Sequence, residues 1–490
     1  MHPRLSRRLF AAFLCLPGFA PAQPSAAPPT SPPVAIAPAA SVASAAPAVA
    51  PRPAGPGAPA RGRRPAGPPV KVTADHDDWN YRLGEPVTFT VVAPAGTELS
   101  YTIGPEMMPA EARTAVVPEG GSLVLAGGTL NEPGFLRCIV TAKGGGRGLA
   151  TAAFAREEIK PTQTEPADFD AFWRQAKADL AALPLDARLA PMPNEITDRH
   201  EAFAVDLQDI GTPPATTSRF YGILYVPRGA CPFPAIMSPP GAGVRGPDRD
   251  IWGWSDLGFI VLYVGIHEVP LRPLPDAASP AAVPGNYPSV GLLDPKLYYF
   301  RRVIMGCLRA DDYLTTLPQW DHRNLVAYGG SQGGYLSLAA AALDPRVTCA
   351  EIAYPAYCDE SGYAHGRPAG WPALKFNDPA DTPGQRAAKL ATTAYYDSVN
   401  FARRIKVPGH YAWGYNDETC PPTTTFSMYN VLTAPKELAI YKETGHGRVP
   451  ALTDVEHAWL LRQVEKPVAR AAVAGHSAPG FPRRIAGAGF

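Results

Sequence analysis

The chain has 490 residues, 46% of them hydrophobic and 18% charged, enough for a large core and for more than one ordinary domain. Forty-five Lys and Arg stand against 44 Asp and Glu, a balance that leaves no basic excess for nucleic acid or for an anionic membrane surface. Proline is the outlier at 58 residues, and much of that excess lies near the N-terminus.

Residues 1–22 read as a secretory signal. Arg4, Arg7 and Arg8 precede the apolar run LFAAFLCLPGFA, and Ala20-Pro21-Ala22 offers small residues for cleavage before Gln23. The apolar run falls well short of the roughly 20 residues that cross a bilayer. The chain is therefore expected to be secreted or periplasmic, with no membrane span. Residues 23–69 are nearly all Ala, Pro, Ser and Gly. Such a stretch buries too little apolar surface to offset its ordering entropy, and its prolines make it an extended linker. Signal removal takes Cys15 and leaves Cys138, Cys231, Cys307, Cys349, Cys358 and Cys420. Their wide spacing fits neither a zinc motif nor a dense disulfide framework. An oxidising compartment permits one or two bridges, and Cys138 and Cys307 are expected as small buried residues.

Residues 70–159 change to period two. EPVTFTVVA sets Val87, Phe89 and Val91 on one face, and FLRCIVTA does the same with Leu136, Cys138 and Val140. Turn residues separate these runs, so a small immunoglobulin-like β-sandwich is expected, without a cluster of titratable groups. Residues 160–467 alternate helical and strand patterns, as an α/β domain with a mostly parallel sheet requires. ADFDAFWRQAKADLAAL is an amphipathic helix. FYGILYVP, FPAIMSPP and GFIVLYVGI read as strands, and YYFRRVIMGCLRADDYLTTL as a long helix. NLVAY, VTCAEIAYP, GHYAWGY and ELAIYK are further strands before a last helix, TDVEHAWLLRQVEK. Residues 468–490 form a C-terminal tail.

The strand NLVAY runs into Gly329-Gly330-Ser331-Gln332-Gly333, and a helix-forming stretch follows at once. This is Gly-x-Ser-x-Gly in the strand–turn–helix setting of a nucleophile elbow. The glycines permit close approach of strand and helix, and the turn lifts the serine hydroxyl above the sheet. In such a fold the acid and then the histidine follow the serine along the chain. Asp417 comes just after GHYAWGY, and His446 lies in a glycine-flanked loop after ELAIYK. His446 would take the Ser331 proton, with Asp417 holding the imidazole. Glu418 is an alternative acid, and His267, His365 and His410 are alternative bases. The oxyanion hole should use the backbone N–H of Gln332 and a second N–H from the loop MSPPGAGV, for which Ala242 is the candidate. This chemistry needs no organic cofactor and no metal.

The stretches ADFDAFW, FYGILYVP, CLRADDYL, GGSQGGYLSLAAAALDPRV, NDETCPPTTTFSMYN and PKELAIYKETGHG resemble the acetyl xylan esterase and cephalosporin-C deacetylase family. The resemblance spans most of residues 160–467. It implies an α/β-hydrolase fold, a triad of Ser331, Asp417 and His446, and deacetylation of an acetylated carbohydrate or a small acetate ester. Three stretches depart from the family pattern. YVGIHEVP stands where Arg-Gly-Gln is usual, His446-Gly447-Arg448 stands where His-x-Glu is usual, and Pro240-Gly241-Ala242 replaces His-Gly-Tyr. A prolyl-oligopeptidase-type serine peptidase is the enzymatic alternative, but ninety residues of β-structure are too few for its propeller. A non-catalytic carbohydrate-binding protein on the same scaffold is the other, and an ordered Ser, Asp and His argue against it.

Overall fold

A computed structural model describes residues 67–247, 249–271, 283–374 and 378–464. The expected signal segment, all but the end of the linker, and the C-terminal tail lie outside the described residues. Eight strands fill the first part: β1 (Lys71–Ala74), β2 (Asn80–Tyr81), β3 (Val87–Val92), β4 (Glu98–Pro105), β5 (Ala112–Val116), β6 (Ser122–Gly128), β7 (Gly134–Ala142) and β8 (Arg147–Phe154). They form two sheets, ordered β1-β3-β6 and β2-β8-β7-β4-β5. The period-two reading holds, because Val87, Phe89 and Val91 are buried while the residues between them are more exposed. Strand β7 differs. Leu136, Cys138 and Val140 are buried on one side, and Arg137 is buried on the other at 3% exposure. Both faces of β7 are therefore covered. Phe135 on this strand packs against Tyr415 and Phe426 of the α/β region, with ring centroids 5.2 and 5.7 Å apart.

The second part opens with α1 (Phe169–Ala181), then β9 (Arg188–Pro191), β10 (His200–Ile210), β11 (Thr217–Pro227), β12 (Phe233–Ser238), α2 (Arg249–Asp256) and β13 (Ile260–Val264). It continues with α3 (Tyr299–Leu314), β14 (Trp320–Gly330), α4 (Gln332–Leu343), β15 (Cys349–Ala353), α5 (Pro383–Tyr396) and α6 (Ser398–Ala402). The last elements are β16 (Gly409–Trp413), α7 (Pro422–Tyr429), β17 (Lys436–Ile440) and α8 (Pro450–Gln463). Nine strands make one sheet in the order β17-β16-β15-β14-β12-β13-β11-β10-β9. The strands from β13 to β17 run parallel, and β9 to β11 extend the sheet antiparallel.

This is the α/β-hydrolase arrangement. Helices cover both faces, so the central strands read as continuous apolar runs, and all five residues of β13 are buried. Alternation along each strand sends side chains to two different cores. Ala235 and Met237 join α3 and α4 on one face, and Ile236 joins Trp254 of α2 and Trp459 of α8 on the other. Helix α4 is buried along nearly its whole length, and its alanines let it lie close against the sheet. All six cysteines of the described residues are free thiols, with Cys138 and Cys307 fully buried. Among the described residues no helix is long and apolar enough to cross a membrane.

Candidate active site

Ser331 sits between the end of β14 and the first residue of α4 with φ 59° and ψ −127°. A non-glycine residue rarely adopts this conformation, which costs on the order of 1–3 kcal/mol and persists only where its surroundings impose it. Here they do. The Ser331 N–H donates to the carbonyl of Ala353 at 3.0 Å, and the Ser331 carbonyl accepts from Ala356 at 3.0 Å and Tyr335 at 3.1 Å. The flanking glycines are required by contact. A Cβ on Gly329 would lie 2.5 Å from the Gly333 backbone, and one on Gly333 would lie 2.4 Å from the Pro239 carbonyl oxygen. The second of these contacts brings the start of α4 against the loop after β12.

Parallel strands bring their carboxyl ends to one edge of the sheet, and three chemistry-bearing side chains meet there. His446 Nε2 lies 2.9 Å from Ser331 Oγ, and His446 Nδ1 lies 2.8 Å from Asp417 Oδ2. Asp417 is fully buried, and its Oδ1 accepts from the N–H groups of Thr419 and Cys420 at 2.7 and 2.8 Å. These two donors fix the carboxylate so that one oxygen is left for the imidazole. Tyr354 stacks its ring edge-on against His446 at 4.8 Å. Two residues beyond His446, the Arg448 guanidinium bonds the Tyr328 hydroxyl and the Glu456 carboxylate, which ties the histidine loop to β14 and α8.

The alternatives raised by the sequence are used elsewhere. Glu418 points away from the histidine and pairs with Arg147 at 2.6 Å. His410 is buried within β16 and bonds Glu351 at 2.7 Å. His365 is exposed at the end of a 3-10 turn. His267 is buried with Nδ1 2.8 Å from the Tyr299 hydroxyl, and burial, with Arg302 nearby, pushes its pKa down to about 4.

The candidate oxyanion donors lie on either side of that close approach. Gln332 is fully buried as the first residue of α4. Its side chain takes a hydrogen bond from the Tyr287 hydroxyl at 2.6 Å and makes 3.4 Å contacts to the carbonyls of Pro240 and Gly241. The Ala242 carbonyl accepts from Arg245 Nε at 2.9 Å, which braces the same loop. Gln332 thus links α4 to the loop through its side chain, a role that its position after the serine gave no reason to expect.

Comparison with known proteins places this architecture. The sequence profile of the acetyl xylan esterase family matches residues 154–463. The acetyl esterase Axe7A of Xylanibacter ruminicola is 36% identical over 405 residues, 80% of this chain and 90% of that protein. The chain belongs to the acetyl xylan esterase family. It is a carboxylic ester hydrolase. The solved acetyl xylan esterase from Paenibacillus sp. R4 superposes with a TM-score of 0.55 at 28% identity, covering 63% of this chain and 98% of that one. Acetyl xylan esterase 1 from Thermoanaerobacterium sp. JW/SL YS485 shares the fold, with a TM-score of 0.53, 22% identity, and coverage of 63% and 98%.

Strands β1 to β8 precede all but the first residue of the family match, yet they reach the acid loop of this family member. The Arg137 guanidinium, 2% exposed, donates to the carbonyls of Tyr415 at 3.0 Å and Asp417 at 2.9 Å. It pairs with Glu106 at 3.0 Å, and Glu106 accepts from the Thr423 N–H at 3.0 Å and the Thr423 hydroxyl at 2.5 Å. One buried ion pair therefore grips the chain on both sides of Asp417. Thr151 adds a third hold, bonding Arg137 at 2.9 Å and Asn416 at 3.0 Å. Burial pushes the Glu106 carboxyl up to about 7 against the opposing pull of Arg137. Sequence reading missed Arg137 and Glu106. The available signal was a charged residue inside FLRCIVTA, whose alternate positions are otherwise apolar or small.

Proposed function

We propose that this family member is an exported serine esterase that removes acetyl groups from carbohydrate hydroxyls. The hydrogen-bonded series Ser331–His446–Asp417 carries the reading. Ser331 Oγ attacks the acetyl carbon while His446 Nε2 accepts its proton, and Asp417 holds the imidazole and stabilises its charged form. The backbone N–H groups of Gln332 and Ala242, aided by the N-terminus of α4, receive the developing oxyanion. Collapse of the tetrahedral intermediate breaks the bond to the alcohol oxygen, which takes the proton from His446. Water, deprotonated by His446, then attacks the acetyl-enzyme and releases acetate. The acetyl group and the sugar are supported by the activities that the relatives' names state. The basic and apolar start of the chain supports export.

The test is hydrolysis of 4-nitrophenyl acetate, acetylated xylan and a peptide anilide by the wild type and by Ser331→Ala. Hydrolysis of both acetate esters, no anilide cleavage, and a loss of about 10⁴-fold or more in the variant are expected. A variant that keeps full activity removes Ser331 from the mechanism, and anilide cleavage in place of ester cleavage makes the protein a peptidase.

A further inference from the structure

Beside His446 lies a groove of about 360 Å³ whose walls come from both halves of the molecule. Arg147, Gly148 and Leu149 at the start of β8 form one wall. The acid loop, through Glu418 and Thr419, and the histidine loop, through Glu443 and Gly445, form the other. We propose that this groove holds the alcohol part of the ester, a saccharide chain bound through its hydroxyls. The β region would then contribute to a substrate subsite through Arg147, Gly148 and Leu149. The proposal rests on the roles given above to Ser331 and His446.

Two observations carry it. The first is position. The proton on Nε2 must pass to the departing oxygen, so the alcohol has to approach the Nε2 edge of the imidazole. The Nδ1 edge is closed by the fully buried Asp417, and the His446 side chain is 25% exposed. The groove borders His446 along the acid and histidine loops and does not include Ser331 in its lining, so it takes the saccharide chain beyond the reacting sugar rather than the departing oxygen itself. The second is chemistry. Besides His446 itself, the lining offers a guanidinium, two carboxylates, a carboxamide and a hydroxyl, with Leu149 its one large apolar side chain. Such a surface suits a ligand that both donates and accepts hydrogen bonds. Arg147 and Glu418 meet as an ion pair with side chains 43% and 37% exposed. An ion pair this open adds little to stability, so its charges remain available to sugar hydroxyls at small cost.

The experiment compares the wild type with Arg147→Ala in the full chain. For an acetylated xylo-oligosaccharide kcat/KM should fall about tenfold further than for 4-nitrophenyl acetate, with the difference in KM. In parallel, calorimetry in a Ser331→Ala background should show the oligosaccharide Kd rising about tenfold when Arg147→Ala is added. Equal losses on both substrates, or an unchanged Kd, overturn the groove as a saccharide subsite. Failure of the catalytic reading appears separately, as ester hydrolysis persisting in Ser331→Ala, while the Kd comparison still decides the groove.

Discussion

At the scale of single residues, the site depends on which acid faces the imidazole. Asp417 and Glu418 are neighbours, and one residue's difference in register turns the first inward to His446 and the second outward to Arg147. Asp417→Asn keeps the size of the side chain but removes the charge that selects the imidazole tautomer. It should lower kcat on 4-nitrophenyl acetate by about 10⁴-fold. A fall of less than tenfold would hand the acid's role to Glu418. Ser331, Asp417 and His446 were legible because each follows a strand signal, and strand ends of a parallel sheet share an edge. Tyr354 and Arg448 were not legible. Their contacts to His446 and to Tyr328 come from distant parts of the chain meeting, which no local pattern encodes.

At the scale of elements, the long apolar and amphipathic runs were readable, FYGILYVP of β11 among them, and the outer antiparallel strands β9 and β10 were not. Strand β10, HEAFAVDLQDI, mixes apolar and charged residues along its eleven positions, and neither it nor β9 stood out as a run. The expected β-structure of residues 70–159 is present as two sheets, but period two says only which face of a strand is apolar. It could not show that the second face of β7 would rest on the acid loop. Arg137→Met tests that contact. Above the raised Glu106 pKa of about 7 it leaves that carboxyl as an uncompensated buried charge, and at pH 8 it should cost about 3–5 kcal/mol, read as a lowered urea midpoint. Adding Glu106→Gln should recover much of the stability, because the stranded charge is then gone. The double variant should still show a reduced kcat, since the carbonyls of Tyr415 and Asp417 keep no donor. Recovery of kcat together with stability would make the pair structural and nothing more.

For the molecule as a whole, buried titratable groups set how it responds to acid. His267 is held near pKa 4 by burial among Tyr287, Tyr299 and Arg302. Below its ordinary value near 6.5 the unfolded chain takes up a proton that the native state refuses until about pH 4. Stability from this residue is therefore complete above pH 6.5 and falls as pH drops towards 4, by at most about 3 kcal/mol. Glu106, Asp209, Asp397 and Glu456 work in the other direction. Burial raises each to about 7, so their native forms hold protons that the unfolded chain has lost, and stability falls as pH rises through that range. The histidine's share is read by difference. His267→Gln should lower the urea midpoint at pH 7.5 relative to that at pH 4.5, compared with the same difference in the wild type, and an unchanged difference would assign the pH sensitivity to other groups.

The grip of Arg137 on the acid loop also has a consequence in time. Asp417 lies 280 residues after Arg137 along the chain, and a ribosome delivers the N-terminal part first. When the acid loop emerges, its mould is already waiting. A nascent chain whose β strands have gone astray would finish synthesis with its hydrolase half complete and its carboxylate unheld, so ester hydrolysis reports on the folding of a region that contains none of the reacting groups.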